Sequence, residues 1–469
     1  MNKRIVYLIF LALLHACQSK DILNNDAFSE EIDLQLQMID NNIKVDVPVN
    51  YFDDGDFSYF TKVERLEDRF SICDISEEMA KTMTTDAIVR SVLHYPLNYL
   101  IFAYNNPIDA VKLVIDSSHL HQELLLREDA AETILHYFEK SDIDMNVSYP
   151  SLDESYQHLT YADEMFLEYL IASWTIKGFE DSGIKNKLYS IVDDKEKRRS
   201  MDTATYSEYS ISPLRIIKQR IAAVQNTQTT STIYTYFGQV LEVINNQELS
   251  VMEVANITNV SVSLYPNSVI VRPASTQYNC HSYAWYDQST NNHYWLNRLN
   301  SNGFLQLSRY WTDDLYVMTT EANAEKVYYV SGDHSAIPLS STLYISKWGA
   351  GPLMEHAPAE CPYNSTNMQY FWQRSLPYNI TLHIVGDRLI AVNSSHNYSL
   401  PHYYNNMSVS WSAEPFPGIS GNCHVTVNLD GSCSFSADTP GAYYIYFEGY
   451  RNGELIITAN YDVVVAYGI

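Results

Sequence analysis

Basic side chains are scarce in this sequence. It has 30 lysine and arginine residues against 56 aspartate and glutamate residues, a formal net charge of -26 over 469 residues. A surface of this sign repels polyphosphate, which argues against a nucleic-acid partner. Glycine and proline are also few, at 16 each, whereas 38 tyrosines and 7 tryptophans supply large packing groups. This composition excludes an intrinsically disordered chain.

Long apolar runs are missing beyond residue 14. Lys3 and Arg4 precede a run of apolar or aromatic residues at 5–14, which is too short for a membrane span of about 20 residues. A basic N-terminal region, a short apolar run and a small residue before the cleavage site are typical of an export signal. The sequence therefore predicts a protein that works outside the cytoplasm.

The end of this signal, Leu-His-Ala-Cys at 14–17, resembles the lipobox of bacterial lipoproteins. The resemblance implies removal of the signal peptide 1–16, lipidation of Cys17 and attachment to the membrane through this lipid. The polar segment 17–60 then forms a tether, and the protein lies in the cell envelope, at the outer membrane or cell surface. Ordinary secretion, with cleavage near Ala16 and a free Cys17, is the alternative.

Charge separates the rest of the chain into two kinds of domain. Residues 17–250 hold 40 acidic and 20 basic side chains, whereas residues 251–469 hold 16 and 8, together with six of the seven tryptophans. The fold class predicted from this division is multidomain α+β. It comprises a helical bundle at 61–221, an uncharged linker at 222–232 and two further domains at 233–365 and 366–469.

Apolar residues recur at helical spacing in 61–221, which predicts a bundle of about six helices. The segment Thr84-Thr85-Asp86 is expected to cap one helix, and Asn106 followed by Pro107 to cap another. The segment 127–140 is amphipathic, with an apolar stripe that contains Ala131, Ile134, Leu135 and Phe138. The carboxylate pairs at 163–164 and 193–194 lack a histidine at ligand spacing, and we expect them on solvated helix faces.

The most informative motif is Tyr-Asn-Cys-His-Ser-Tyr-Ala-Trp at 278–285. Asn279 is expected to cap a short helix, which places Cys280 in its first turn, where a thiolate is favoured. The adjacent His281 is expected to be a poor base, because neighbouring residues on a helix point in different directions. The better candidate is His334, at the start of a predicted strand. A second strand at 342–346 would bring Ser346 or Lys347 beside its imidazole.

These motifs, with Ser-Lys-Trp-Gly at 346–349, resemble papain-like cysteine hydrolases, specifically the NlpC/P60-type and related amidase-like families. The resemblance covers about 233–363 and implies a catalytic Cys280 and His334, with Ser346 in the orienting position. Because papain has asparagine at that position, Glu355 and His356 remain open as third members. The oxyanion donor is open as well, with the Cys280 backbone N–H as the generic group and Gln277 or Tyr278 as added candidates.

Other interpretations of these residues are weaker. A zinc site could draw on the thiol and on four imidazoles, but the close pairs typical of zinc are absent, so no metal or cofactor is predicted. These residues are Cys280, His281, His293, His334 and His356. The aromatic residues of this region are expected mainly in the core, with a ligand platform as the alternative. They are Trp285, Tyr294, Trp295, Tyr310 and Trp311.

The terminal segment 366–469 has period-two runs broken by turns, which predicts strands at 380–384, 407–411, 424–428, 443–447 and 455–465. Its Thr-Pro-Gly at 439–441 resembles the late turn of bacterial immunoglobulin-like modules. A tight Asp-Gly turn at 430–431 would place Asn428 opposite Cys433, so no disulfide with Cys423 is expected.

Together these features predict a lipid-anchored cysteine hydrolase that cleaves amide bonds in a peptide or peptidoglycan-like substrate. The alternative is a non-catalytic surface lipoprotein that binds glycan or protein through aromatic residues and the terminal β module.

Overall fold

The computed structural model describes residues 44–49, 51, 62–143, 145, 158–223, 230–236, 239–312, 315–374, 378–379, 384–400, 408–451 and 453–467. The predicted signal peptide, Cys17 and most of the predicted tether lie outside these residues. The described chain is mixed α+β, with helices first and antiparallel sheets after them.

Ten helices occupy the described part of 62–221. They are α1 Leu66–Cys73, α2 Glu77–Thr82, α3 Thr85–Leu93, α4 Leu100–Ala103, α5 Pro107–Asp116, α6 His119–Leu126, α7 Ala130–Lys140, α8 Tyr161–Ser173, α9 Ser182–Met201 and α10 Glu208–Ile221. Two predicted caps are confirmed: Thr84 accepts from the Ala87 N–H ahead of α3, and Asn106 accepts from the Ile108 N–H ahead of α5. The apolar stripe of α7 is buried as predicted.

The prediction for one carboxylate pair is wrong. Asp163 and Glu164, on α8, are buried, and Glu164 lies 2.6 Å from the ammonium of Lys195 on α9. An acidic pair in sequence suggests a solvated face, but here a cationic and an amide side chain from other elements bond the two carboxylates. Asn98 donates to Asp163 at 2.9 Å. The pair at 193–194 forms partly or largely exposed ion pairs, as predicted.

Two later helices are α11 Val251–Leu264 and α12 Arg309–Thr312, with a π-helical turn at Ser282–Tyr286. The first eleven strands are β1 Asp142–Ile143, β2 His158–Leu159, β3 Ser231–Tyr234, β4 Val240–Val243, β5 Val269–Arg272, β6 Tyr316–Thr319, β7 Lys326–Tyr329, β8 His334–Pro338, β9 Tyr344–Lys347, β10 Leu353–His356 and β11 Met368–Gln373. The remaining eight are β12 Tyr378–Asn379, β13 Leu389–Ala391, β14 His396–Tyr398, β15 Ser408–Pro415, β16 Cys423–Val427, β17 Cys433–Ala437, β18 Gly441–Arg451 and β19 Glu454–Ala466.

The chain divides into two compact units, and each unit is discontinuous in sequence. The first comprises Met1–Thr229, Asn245–Trp295 and Val327–Gln369, and the second comprises Thr230–Ile244, Leu296–Lys326 and Tyr370–Ile469. This division differs from the predicted boundaries, because the helices of 62–221 share a unit with the Cys280 and His334 motifs.

The sheet of the first unit runs in the order β5-β10-β9-β8-β7, with every neighbouring pair antiparallel. The predicted hairpin is present as β8 and β9, in which Ile337 pairs with Ile345. The sheet packs here on the segment that carries Cys280, since Ile345 of β9 and Leu353 of β10 form a buried cluster with Tyr278 and Tyr283.

The second unit contains a sheet in the order β12-β19-β18-β15, with β13 beside β19, and a second sheet in the order β14-β17-β16. Aromatic rings connect the two sheets: Phe435 on β17 lies 5.7 Å from Tyr443 on β18. Four of the five strands predicted here match β15, β16, β18 and β19 to within a few residues, whereas 380–383 lies outside the described residues.

The hairpin of β16 and β17 pairs Cys423 with Ala437 and Val427 with Cys433. Its register differs by one residue from that of a two-residue loop, but the two cysteines are not cross-strand partners, as predicted. In the described part of the chain, no helix is long and apolar enough to cross a membrane.

Candidate active site

Cys280 begins a short helical segment, and Asn279 caps it as predicted. The Asn279 side chain accepts from the Ser282 N–H at 3.1 Å, and its carbonyl accepts from the Tyr283 N–H at 2.9 Å. The segment continues as a π-helical turn, an irregularity that is frequent at functional sites. Cys280 itself is only 1% exposed.

The Asn105 side chain contacts the Cys280 sulfur. It follows α4 and precedes α5, and its Nδ2 and Oδ1 atoms each lie 3.7 Å from Sγ. The same amide donates to the Asp333 carbonyl at 3.2 Å and accepts from the Asn279 side chain at 2.9 Å. Asn105 therefore connects the helices to both motifs of the site.

His281 is held by two oxygen atoms. Its Nδ1 atom lies 2.8 Å from Ser335 Oγ and its Nε2 atom 3.1 Å from Asp333 Oδ1. Burial by itself would lower the pKa of His281, but the interactions with Cys280 and with the Asp333 carboxylate raise this pKa to about 10. A protonated ring can donate from both nitrogens, which fits the two oxygen acceptors around it.

The turn between β7 and β8 aims Asp333 at this ring. Asp333 has a φ of 46°, in the left-handed region that aspartate tolerates better than most residues. In this conformation its carboxylate bonds His281 while its carbonyl accepts from Asn105. The turn and Ser335 therefore hold the His281 ring from both of its nitrogens.

His334 begins β8 as predicted, but its ring lies against Tyr363. The two rings stack at 3.6 Å between centroids with 9° between planes. His334 is fully buried, and neither ring nitrogen has a hydrogen-bond partner, so none joins it to Cys280 or Ser346. Successive strand residues face opposite sides, so Ser335 reaches His281 while His334 faces away. Burial, with smaller effects of His356 and His281, holds the pKa of His334 well below its usual range.

Ser346 orients a different histidine from the one predicted. Its hydroxyl lies 2.7 Å from His356 Nε2 and accepts from the Trp348 indole at 3.1 Å. The other His356 nitrogen, Nδ1, bonds the Ala357 carbonyl at 2.7 Å, and burial lowers the pKa of His356 to about 4. Ser346 and His356 thus hydrogen-bond to each other in a buried network.

The described contacts of the other predicted members are with groups other than the Cys280 sulfur. Glu355 is a partly exposed residue of β10, paired with Ile345. The Gln277 backbone N–H donates to Ser275, and the Tyr278 hydroxyl bonds Arg272 at 3.5 Å. The side-chain amide that contacts the thiol is that of Asn105, which was not among the predicted oxyanion donors.

Lys347 fixes the loops on both sides of the site. Its fully buried ammonium donates to the carbonyls of Ser275, Gly349 and Gly351 at 2.6–2.8 Å. Three acceptors match the three donors of a lysine ammonium. The loop that leads to Cys280 is thereby attached to the turn after β9.

Sequence patterns did not predict two residues of the site, Asp333 and Asn105. For Asp333 the sequence shows a Gly-Asp turn directly before the strand that His334 begins, but it does not indicate the His281 ring that the Asp333 carboxylate bonds. For Asn105 the sequence shows no signal, since it lies 175 residues before Cys280 and only folding brings the two together.

Several of the aromatic side chains expected in the core are buried. Trp285, Trp295 and Tyr310 are at most 5% exposed, and the Trp285 indole donates to Ser335 at 2.9 Å. No group of three potential metal ligands occurs among the described residues. Comparison of the chain with protein-family models and with curated proteins gives no match.

Proposed function

We propose that this protein is a cysteine hydrolase that cleaves amide bonds in a peptide or peptidoglycan-like substrate, exported and held at the cell envelope by a lipid on Cys17. The observation that supports this proposal most is the convergence of the Cys280 thiol, the His281 imidazole, the Asp333 carboxylate and the Asn105 amide. A nucleophile, a proton carrier and an orienting group are what covalent catalysis by cysteine requires.

In this proposal the Cys280 thiolate attacks the substrate carbonyl carbon, and the Asn105 amide donates to the oxyanion that forms. The C–N bond then breaks, and the leaving amine takes the proton of His281 while the acyl group stays on sulfur as a thioester. Neutral His281 next removes a proton from water, and the water oxygen attacks the thioester. The C–S bond breaks, the acid leaves, and the thiolate–imidazolium pair is restored.

Alkylation with iodoacetamide tests the thiolate. In the proposed mechanism Cys280 reacts as the thiolate of an ion pair with His281, whose pKa of about 10 keeps this ring protonated between pH 7 and 9. The proposal therefore predicts a Cys280 alkylation rate that changes little over this range, whereas an ordinary thiol reacts about tenfold faster per pH unit below its pKa. His281→Gln should restore that rise and slow the reaction at pH 7 at least tenfold. Peptide mapping by mass spectrometry assigns the rates.

The matched control for His281 is His334→Gln, which removes the imidazole that the sequence favoured. If His334→Gln abolishes the flat pH profile and His281→Gln does not, the base is His334 and the assignment to His281 fails. Cys73 and Cys361 serve as internal references, because burial raises the pKa of both thiols.

Burial of the sulfur favours the second candidate, a binding protein in which the Cys280 region is a scaffold. At 1% exposure, the sulfur meets a substrate only after neighbouring side chains move. Equal alkylation rates for Cys280, Cys73 and Cys361 would identify a closed structural thiol and would exclude the hydrolase.

A further inference from the structure

The outer face of the sheet formed by β15, β18 and β19 is aromatic. Along β18, Tyr443, Ile445 and Phe447 are buried, whereas the alternating Tyr444 and Tyr446 are partly exposed on the other face. Two further aromatic side chains, Phe416 and Tyr450, are also partly exposed. We call Phe416, Tyr444, Tyr446 and Tyr450, with their cross-strand neighbours, the tyrosine face.

Rings of the tyrosine face form a continuous ridge. Phe416 stacks on Tyr444 with 3.8 Å between centroids and 19° between planes, and Tyr444 lies 5.8 Å from Tyr446. The Tyr446 hydroxyl donates to Glu414 at 2.6 Å, which fixes the direction of that ring. These contacts make a rigid apolar surface at little cost in side-chain entropy.

Short polar side chains line both sides of this ridge. The register of β15 places Ser412 beside Tyr446 and Ser408 beside Tyr450. The register of β19 places Asn460 on the other side of Tyr446 and Asp462 beside Tyr444. Because serine, asparagine and aspartate are shorter than tyrosine, the rings stand above hydroxyl, amide and carboxylate groups.

This arrangement fits a flat ligand with an apolar face and a rim of hydroxyl groups, which is the chemistry of a pyranose sugar. Tyrosine with serine and asparagine is also the composition that antibody combining sites use to combine apolar contact with adaptable hydrogen bonding. Glu414, Glu448 and Asp462 add negative charge, and the described residues of the face include no lysine or arginine. A polyanionic chain would be repelled.

We propose that the tyrosine face binds a neutral polysaccharide. This binding does not depend on the Cys280 site, because it uses residues of the second unit alone. The terminal β module would hold the protein on a glycan surface whether or not the first unit is a hydrolase.

Affinity electrophoresis of the mature full-length chain tests this proposal, with gels that contain a soluble β-glucan, xylan, mannan or the anionic polymer alginate. We expect at least one neutral gel to retard the wild type and alginate to have no effect. The double variant Tyr444→Ala, Tyr446→Ala should weaken the retardation at least tenfold, while Tyr446→Phe, which keeps the ring, should retain it.

Tyr467→Ala is the matched control, because Tyr467 is 75% exposed in the same unit but lies outside the tyrosine face. Cys280→Ala should bind as the wild type does, which separates this test from that of the hydrolase. Lack of retardation in every neutral gel, or retardation unchanged in the double variant, would overturn the proposal. Binding of poly-lysine in place of the glycans, lost in the double variant, would also overturn it and identify a cationic partner.

Discussion

At the scale of single residues, Asn105 connects the two halves of the candidate site. One amide contacts the Cys280 sulfur, the Asp333 carbonyl and the Asn279 side chain. Its neighbour Asn106 has a local task, the cap of α5. Two adjacent asparagines thus have different roles, and the contacts of the first cannot be inferred from its sequence context.

This difference predicts different effects of the same substitution at the two positions. Asn105→Asp places a carboxylate near Sγ, which disfavours the thiolate form of Cys280 and should slow its alkylation at pH 7 about tenfold. Asn106→Asp should leave the rate unchanged, since aspartate caps a helix about as well as asparagine does. Iodoacetamide kinetics measure both. Equal rates in the two variants would show that the Asn105 amide does not influence the thiol.

At the scale of elements, the turn between β9 and β10 attaches the sheet to α4. The Ala350 N–H donates to the Phe102 carbonyl at 2.7 Å, and the Tyr363 hydroxyl donates to the Ala103 carbonyl at 2.6 Å. Gly349 has a φ of 52°, and a Cβ atom there would lie 2.3 Å from the Ala103 oxygen. The glycine of the Ser-Lys-Trp-Gly motif is required by this close approach.

Gly349→Ala should therefore cost about 3 kcal/mol or more of unfolding free energy, because the left-handed conformation and a backbone clash add together. Gly303→Ala is the control: Gly303 also has a positive φ, but nothing lies within 4 Å of its Cβ position. It should cost about 1–2 kcal/mol, from the backbone conformation alone. Urea denaturation followed by tryptophan fluorescence compares the two. Equal losses would mean that α4 and the turn move apart easily.

At the scale of the whole molecule, our proposal derives the place where the protein acts from its acidic charge and its N-terminal segment. The net charge of -26 keeps it away from polyanions. The signal and the lipobox-like residues at 14–17 place it, by our proposal, on a membrane surface through Cys17.

Cys17→Ser should release the protein from the membrane, because the acylated sulfur is the anchor in this proposal. In bacteria that express the full chain, the wild type should enter the detergent phase of Triton X-114 and the variant the aqueous phase. A wild type found in the aqueous phase would instead indicate ordinary secretion with cleavage near Ala16.

Local patterns in the sequence determined the helix caps at Thr84 and Asn106, the start of a helix at Cys280 and the start of a strand at His334. Each depends on a few consecutive residues, so it can be read without knowledge of the fold. The burial of Glu164 could not be read in this way, because its partner Lys195 comes from another helix.

Tertiary structure alone decided for which histidine Cys280 raises the pKa and which amide lies beside the Cys280 sulfur. Because side chains alternate along β8, Ser335 points toward His281, whereas the His334 ring stacks on Tyr363. Asn105 reaches the sulfur because α4 packs on the turn after β9. The sequence by itself determined that Cys280 begins a helical segment capped by Asn279. The contacts of His281 with Asp333 and of Asn105 with the Cys280 sulfur join segments far apart in the chain, and these contacts exist only once the first unit has folded.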